Sequence, residues 1–173
     1  MTRKTGIHVF KYTVYVLLIL FLYILQETPS LFSIFGVKPL LLVPAAICIA
    51  MFEGEFAGAL LGAFAGCLCD IGGITIFGFN GIMMLIMCTI CGLLIMFWLS
   101  RNAVSAFLLC TAVLFIRGTV EYFVCLAIWG FEGIGMYYVQ HTLPCIVYSA
   151  IISPVFFFAA KKIHNIFEEK LKD

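Results

Sequence analysis

Three ionisable residues stand where lipid would surround them: Asp70, Arg117 and Glu121. Each lies in or at the end of a long apolar run, where a charge is expensive unless it is paired. Arg117 and Glu121 are four apart, one turn along the same helix face. Such a set supports two kinds of chemistry. It can clasp helices together through buried charge pairs, or it can line a polar pocket that receives a ligand or partner. His141, one turn into the last apolar run, either joins the set or sits at the interface. Eight cysteines also lie in apolar runs: Cys48, Cys67, Cys69, Cys88, Cys91, Cys110, Cys125 and Cys145. Cys88 and Cys91 form a C-x-x-C, but no second pair of Cys or His stands beside it, so the thiols read as small hydrophobes rather than metal ligands. No Ser, His and Asp set, no H-E-x-x-H and no phosphate loop is present, and Gly72-Gly73 is not followed by Lys. The expectation is a non-enzymatic protein without metal or cofactor.

The element that positions Asp70 is a glycine ladder. Gly54, Gly58, Gly62 and Gly66 recur every fourth residue, and the next step of four lands on Asp70. In water each interior glycine would cost a helix about 1 kcal/mol against alanine. In a bilayer, small residues four apart form a groove where another backbone approaches closely. The occupant of that groove is either another helix of this chain or the helix of a partner.

The chain that carries these residues has 173 residues, 64% of them hydrophobic and only 11% charged. A soluble domain of this size could not bury that much apolar surface. The runs do not alternate as barrel strands do, so the chain reads as an all-α, polytopic helical membrane protein. The first run lacks a small-residue cleavage site and ends in Leu25-Gln26-Glu27, unlike a cleavable signal peptide. Six spans are expected, over residues 7–26, 37–52, 54–71, 80–99, 103–129 and 136–160, followed by a charged tail, 161–173. Lys38 and Pro39 mark the start of the second span, and Pro44 is expected to kink it. Glu53 and Glu55 are expected at a membrane surface, forcing a tight reversal there. Pro144 and Pro154 are expected kinks in the sixth span, with Trp129, Tyr137 and Tyr138 as interfacial anchors. In the tail, Ile163, Ile166, Phe167 and Leu171 are at helical spacing. It either lies on the membrane surface or extends the last helix.

Positive charge then sorts by side. Arg3, Lys4, Lys11, Arg101, Lys161, Lys162, Lys170 and Lys172 fall on one side and Lys38 on the other, which predicts that both termini are cytoplasmic. With a rise of about 1.5 Å per residue, Asp70 lies about 25 Å along its helix from the cytoplasmic end and Arg117 about 22 Å along its own. The two are therefore level, toward the outer leaflet, and Arg117 is predicted to be contacted by Asp70, Glu121 or both.

The run from Pro39 through Gly54-x3-Gly58-x3-Gly62-x3-Gly66-x3-Asp70 to Gly78, Asn80 and Gly81, within a chain of this length and hydropathy, resembles the MreD family of bacterial rod-shape-determining membrane proteins. The resemblance implies a cell-membrane scaffold of the cell-elongation complex. It would work with the bitopic partner MreC and, indirectly, with the actin-like MreB filament and peptidoglycan synthases, and not with nucleic acid. Contact residues would be the ladder glycines and the Asp70, Arg117 and Glu121 set. The fold would be similar to the substrate-binding subunits of energy-coupling-factor transporters, and such a vitamin- or metal-uptake subunit is the alternative function. Against that alternative, the first span has no small-residue coupling motif.

Overall fold

The computed structural model describes residues 2–28, 39–71, 76–129, 140 and 142–172. Five helices account for nearly all of them: α1 (Thr2–Glu27), α2 (Leu42–Ile71), α3 (Phe79–Phe97), α4 (Ala103–Trp129) and α5 (Leu143–Lys172). All five are long and apolar enough to cross a bilayer. Outward faces carry large apolar residues such as Leu17, Phe21, Phe56, Leu60, Ile82, Phe97, Val104, Phe115, Ile151 and Phe158. A shell of that kind is at home in lipid and not in water. The protein is an all-helical, multi-pass membrane protein.

The organising element is α2, which is broken at Gly54. There φ is 83° and ψ −175°, a conformation essentially restricted to glycine. Across the break the helix doubles back. A Cβ built on Gly58 would lie 2.5 Å from the Cα of Ala50, whereas eight residues of straight helix would separate the two by about 12 Å. The first arm, 42–53, is only about 18 Å long and lies in the middle of the molecule. Every residue from Leu41 to Phe52 is buried.

The other helices wrap this arm, each offering one stripe at helical spacing. From α1 come Tyr15, Ile19 and Leu22. From α4 come Ala106, Leu109, Cys110, Val113 and Leu114, and from α5 Ile146, Ala150, Phe157 and Ala160. Tyr15 of α1 meets Glu53, and Gln26 meets Leu41, so α1 runs antiparallel to the first arm. The second arm, 55–71, pairs with α3 in a tight antiparallel seam, with Gly92 against Glu55, Gly62 against Cys88 and Gly66 against Asn80.

Several expected boundaries shift. The reversal at Glu53 to Glu55 is present, and the single residue Gly54 makes it between the two arms. The arm before it begins at Leu42 rather than residue 37. Pro44 is consequently the third residue of α2, in the first turn, where no helical N–H is lost and no kink is needed. Pro144 occupies the same kind of position in α5, and Pro154 lies inside that helix. The start of α1 is Thr2, not residue 7. The tail continues α5 unbroken to Lys172, and Phe167 packs on Phe10 of α1 at 5.8 Å between ring centroids. Contact with α1 supplies the burial that membrane-surface docking would otherwise provide. Lys38, Glu132, Tyr137, Tyr138 and His141 lie outside the described residues.

Candidate functional site

Buried polar side chains gather at both ends of the second arm of α2. At the end away from the termini, Asp70 is the penultimate residue of α2 and is only 5% exposed. Its carboxylate does not meet Arg117 directly. Oδ2 accepts the backbone N–H of Gly78 at 2.9 Å and of Gly81 at 3.3 Å, while Oδ1 accepts the N–H of Asn80 at 3.2 Å and its side-chain Nδ2 at 2.9 Å. The acid thus caps the N-terminus of α3, where unpaired amides and the positive end of the helix dipole favour an anion. Gly78 enters the cap with φ at 93°, which explains glycine there.

Asn80 carries the connection onward. Its Oδ1 accepts the Nε–H of Arg117 at 2.8 Å. The Nη2 of Arg117 lies 3.7 Å from Oε2 of Glu121, one turn along α4. The four residues form a chain, Asp70 to Asn80 to Arg117 to Glu121, tying the α2–α3 seam to α4. Arg117 and Asn80 are buried, while the Glu121 side chain is 35% exposed and marks where the chain reaches the surface. The expected pairing of Arg117 with Glu121 is present; the expected contact with Asp70 runs through Asn80, because Asp70 is already held by the amides of α3. Asn80 is invisible to a search for charges. Its signal was its place at the start of an apolar run, ten residues after the acid.

The ladder is what brings Asp70 there. A Cβ on Gly62 would lie 2.5 Å from Cys88 Sγ, and one on Gly66 would overlap the backbone of Asn80 and Gly81. Gly54 is the break itself, where an added Cβ would meet nothing within 4 Å, and Gly58 receives Ala50. From Gly58 onward, the faces of the ladder glycines are filled by this chain's own first arm and α3.

The end of the bundle that carries the described starts and ends of the chain has a second cluster. Glu53, the last residue before the break, has 4% of its side chain exposed. Its Oε1 receives three donors: Lys11 Nζ at 2.7 Å, His164 Nδ1 at 2.9 Å and Tyr15 OH at 3.0 Å. Lys11 Nζ and His164 Nδ1 are 3.4 Å apart. The expectation of Glu53 as a surface acid is therefore corrected. Lys11 is 3% exposed and enters the bundle with it, and the two neutralise each other out of water. Lys11, inside an apolar run, and His164, beside the apolar stripe of the charged tail, were the signals available for this cluster.

The first arm is capped from outside its own helix. Gln26 Oε1 accepts the N–H of Leu41 at 2.9 Å and of Leu42 at 3.2 Å. Ser149 Oγ accepts the N–H of Leu40 at 2.8 Å while donating to the Cys145 carbonyl at 2.7 Å. Backbone amides at membrane depth need such partners because lipid offers none. Among the described residues, no group of three or more His, Cys, Asp or Glu could hold a metal ion. No known protein family, no curated protein and no solved structure matches the chain.

Proposed function

We infer that this protein is a non-enzymatic membrane scaffold of the MreD kind, serving the bacterial cell-elongation complex. In this role it sits in the cell membrane with both termini in the cytoplasm. It links an MreC-like bitopic partner, and through it an MreB-like filament, to side-wall peptidoglycan synthesis. Counting the two arms of α2 as separate crossings gives the six passes that this topology requires.

The observation that carries the reading is the ladder ending on Asp70. The resemblance to that family is concentrated between Pro39 and Gly81. In that same segment the helices approach most closely, and it delivers a carboxylate to the start of α3. A rigid seam tied by Asn80 to Arg117 is what a scaffold needs, since a partner's helix must meet a surface of fixed shape. With the ladder groove filled from within, partner contact falls to the outward faces of the bundle and to the exposed rim around Glu121.

Depletion in the native host tests this reading. Rounded cells with side-wall synthesis no longer localised are expected. Cells of normal shape that have lost uptake of a vitamin would contradict it and support an energy-coupling-factor transporter subunit instead.

A further inference from the structure

The guanidinium of Arg117 has more donors than the protein spends. The residue is only 5% exposed, and it offers N–H groups on Nε and on both Nη atoms. The Nε–H goes to Asn80 at 2.8 Å, while the approach of Nη2 to Glu121, at 3.7 Å, is longer than a hydrogen bond. Among the described residues, no acceptor lies within hydrogen-bond distance of either Nη. Asp70 cannot serve, because four N–H donors already fill its lone pairs. An unmet donor at membrane depth is costly, so the free edge of the guanidinium calls for an acceptor from outside the chain. The polar break Ser100-Arg101-Asn102 precedes α4, and Glu121 lies about 27 Å along that helix from Ala103. The pair therefore stands close to where a hydrocarbon layer of about 30 Å gives way to lipid headgroups. Apart from the Asn80 to Arg117 bond, α3 and α4 make little contact with each other. Leu85, Ile86 and Ile90 on α3 and Leu108, Phe115 and Ile116 on α4 stay exposed, so both helices leave apolar flanks to lipid on the membrane side of the polar pair.

We propose that Arg117 and Glu121 hold the headgroup of a zwitterionic phospholipid with a primary amine, its phosphate on the Nη edge of Arg117 and its ammonium on the carboxylate of Glu121. The acyl chains then lie against the flanks of α3 and α4. Phosphate suits the guanidinium because its oxygens accept parallel N–H bonds in a fixed fork geometry. Glu121 selects the charge of the headgroup. Its side chain is 35% exposed, which leaves the carboxylate within reach of a lipid. A headgroup of net negative charge would bring a second anion beside that carboxylate in a poorly hydrated site, where like charges repel strongly. A zwitterion leaves the pair neutral, and its ammonium donates to Glu121. Asp70 weighs little in this choice, since the N-terminal amides of α3 and the dipole of that helix offset its charge. The site requires a bilayer and not the scaffold role.

The test is lipid retention by the full chain in mild detergent, supplied with an equimolar mixture of phosphatidylethanolamine and phosphatidylglycerol and read by native mass spectrometry. The wild type should keep one phosphatidylethanolamine, favoured over phosphatidylglycerol by about tenfold or more, as one hydrogen bond to a charged group provides. Phosphatidylcholine has no N–H on its ammonium and should be kept less well than phosphatidylethanolamine. Glu121→Gln should lose the preference for phosphatidylethanolamine over phosphatidylglycerol. Soluble glycerophosphoethanolamine, the same headgroup without acyl chains, should not displace the bound lipid. Wild-type protein that keeps the two lipids in the ratio of the mixture, or keeps neither, would overturn the proposal, whether or not Glu121→Gln folds. So would equal retention of phosphatidylcholine, or a Glu121→Gln protein with the wild-type preference. Displacement by the soluble headgroup would overturn the lipid as occupant and assign the pair to a free phosphate zwitterion.

Discussion

Gly66→Ala is the most searching perturbation of the α2–α3 seam. The added Cβ would overlap the backbone of Asn80 and come within 2.8 Å of Gly81 Cα. Neither can rotate aside as a side chain would. Separating the helices is costly too, since the amides of Asn80 and Gly81 are held by Asp70 at 3.2 and 3.3 Å, and hydrogen bonds to a charged group contribute about 1.5–3 kcal/mol each. Overpacking of this kind costs about 1–3 kcal/mol, and the helix propensity of alanine returns about 1 kcal/mol. With the weakened cap included, a net loss of about 2 kcal/mol is expected. Gly6→Ala provides the contrast. Nothing lies within 4 Å of its built Cβ, so only the propensity gain of at most about 1 kcal/mol remains. Gly62→Ala is intermediate, because its nearest neighbour is the Cys88 side chain, and Cys88→Ala should rescue it in part. Reversible unfolding in mixed micelles, titrated with denaturing detergent, measures all four. The reasoning fails if Gly66→Ala is as stable as the wild type, which is what a ladder face open to lipid would give.

Further outcomes follow from the polar clusters. Asn80→Leu and Arg117→Met should each destabilise by about 2–4 kcal/mol by stranding a buried partner, and their combination should cost clearly less than the sum; additive losses in a double-mutant cycle would break the proposed chain. Glu121→Gln should cost less than about 1 kcal/mol, given its exposure, in the same assay. Glu53→Gln should cost about 3–5 kcal/mol by leaving Lys11 buried without its anion, and adding Lys11→Met should recover part of that. Gln26→Leu should cost about 1–3 kcal/mol through the freed amides of Leu41 and Leu42, with faster hydrogen exchange at those two positions as its local signature.

Much of this architecture is legible in the sequence because lipid imposes a simple rule on composition. Apolar runs of bilayer length mark the helices, and the bounds expected for residues 103–129 coincide with α4. The ladder and its terminal acid announce a close helix approach and a buried charge. What the sequence hides is pairing at a distance. Glu53 and Lys11 look like ordinary surface charges, because their neutralisation depends on a reversal at Gly54 that brings α1, α2 and α5 to one point. Asn80, Gln26 and Ser149 carry no charge to draw attention. Each satisfies backbone or guanidinium groups that only the folded arrangement strands. The short first arm is the clearest case. The span expected over residues 37–52 is short for a bilayer, and the arm that forms, 42–53, is shorter still and is the buried axis around which the other helices pack.

A disulfide trap tests the central claim, that the ladder groove is filled by α3 of the same chain. In Gly62→Cys the new thiol would face native Cys88, whose Cβ lies 2.9 Å from the built Cβ, so that a small relaxation reaches disulfide geometry. Mild oxidation in native membranes should give an intrachain bond that disappears in the Cys88→Ala background. Absence of that bond, or capture of the introduced thiol by another protein while Cys88 stays reduced, would contradict the account.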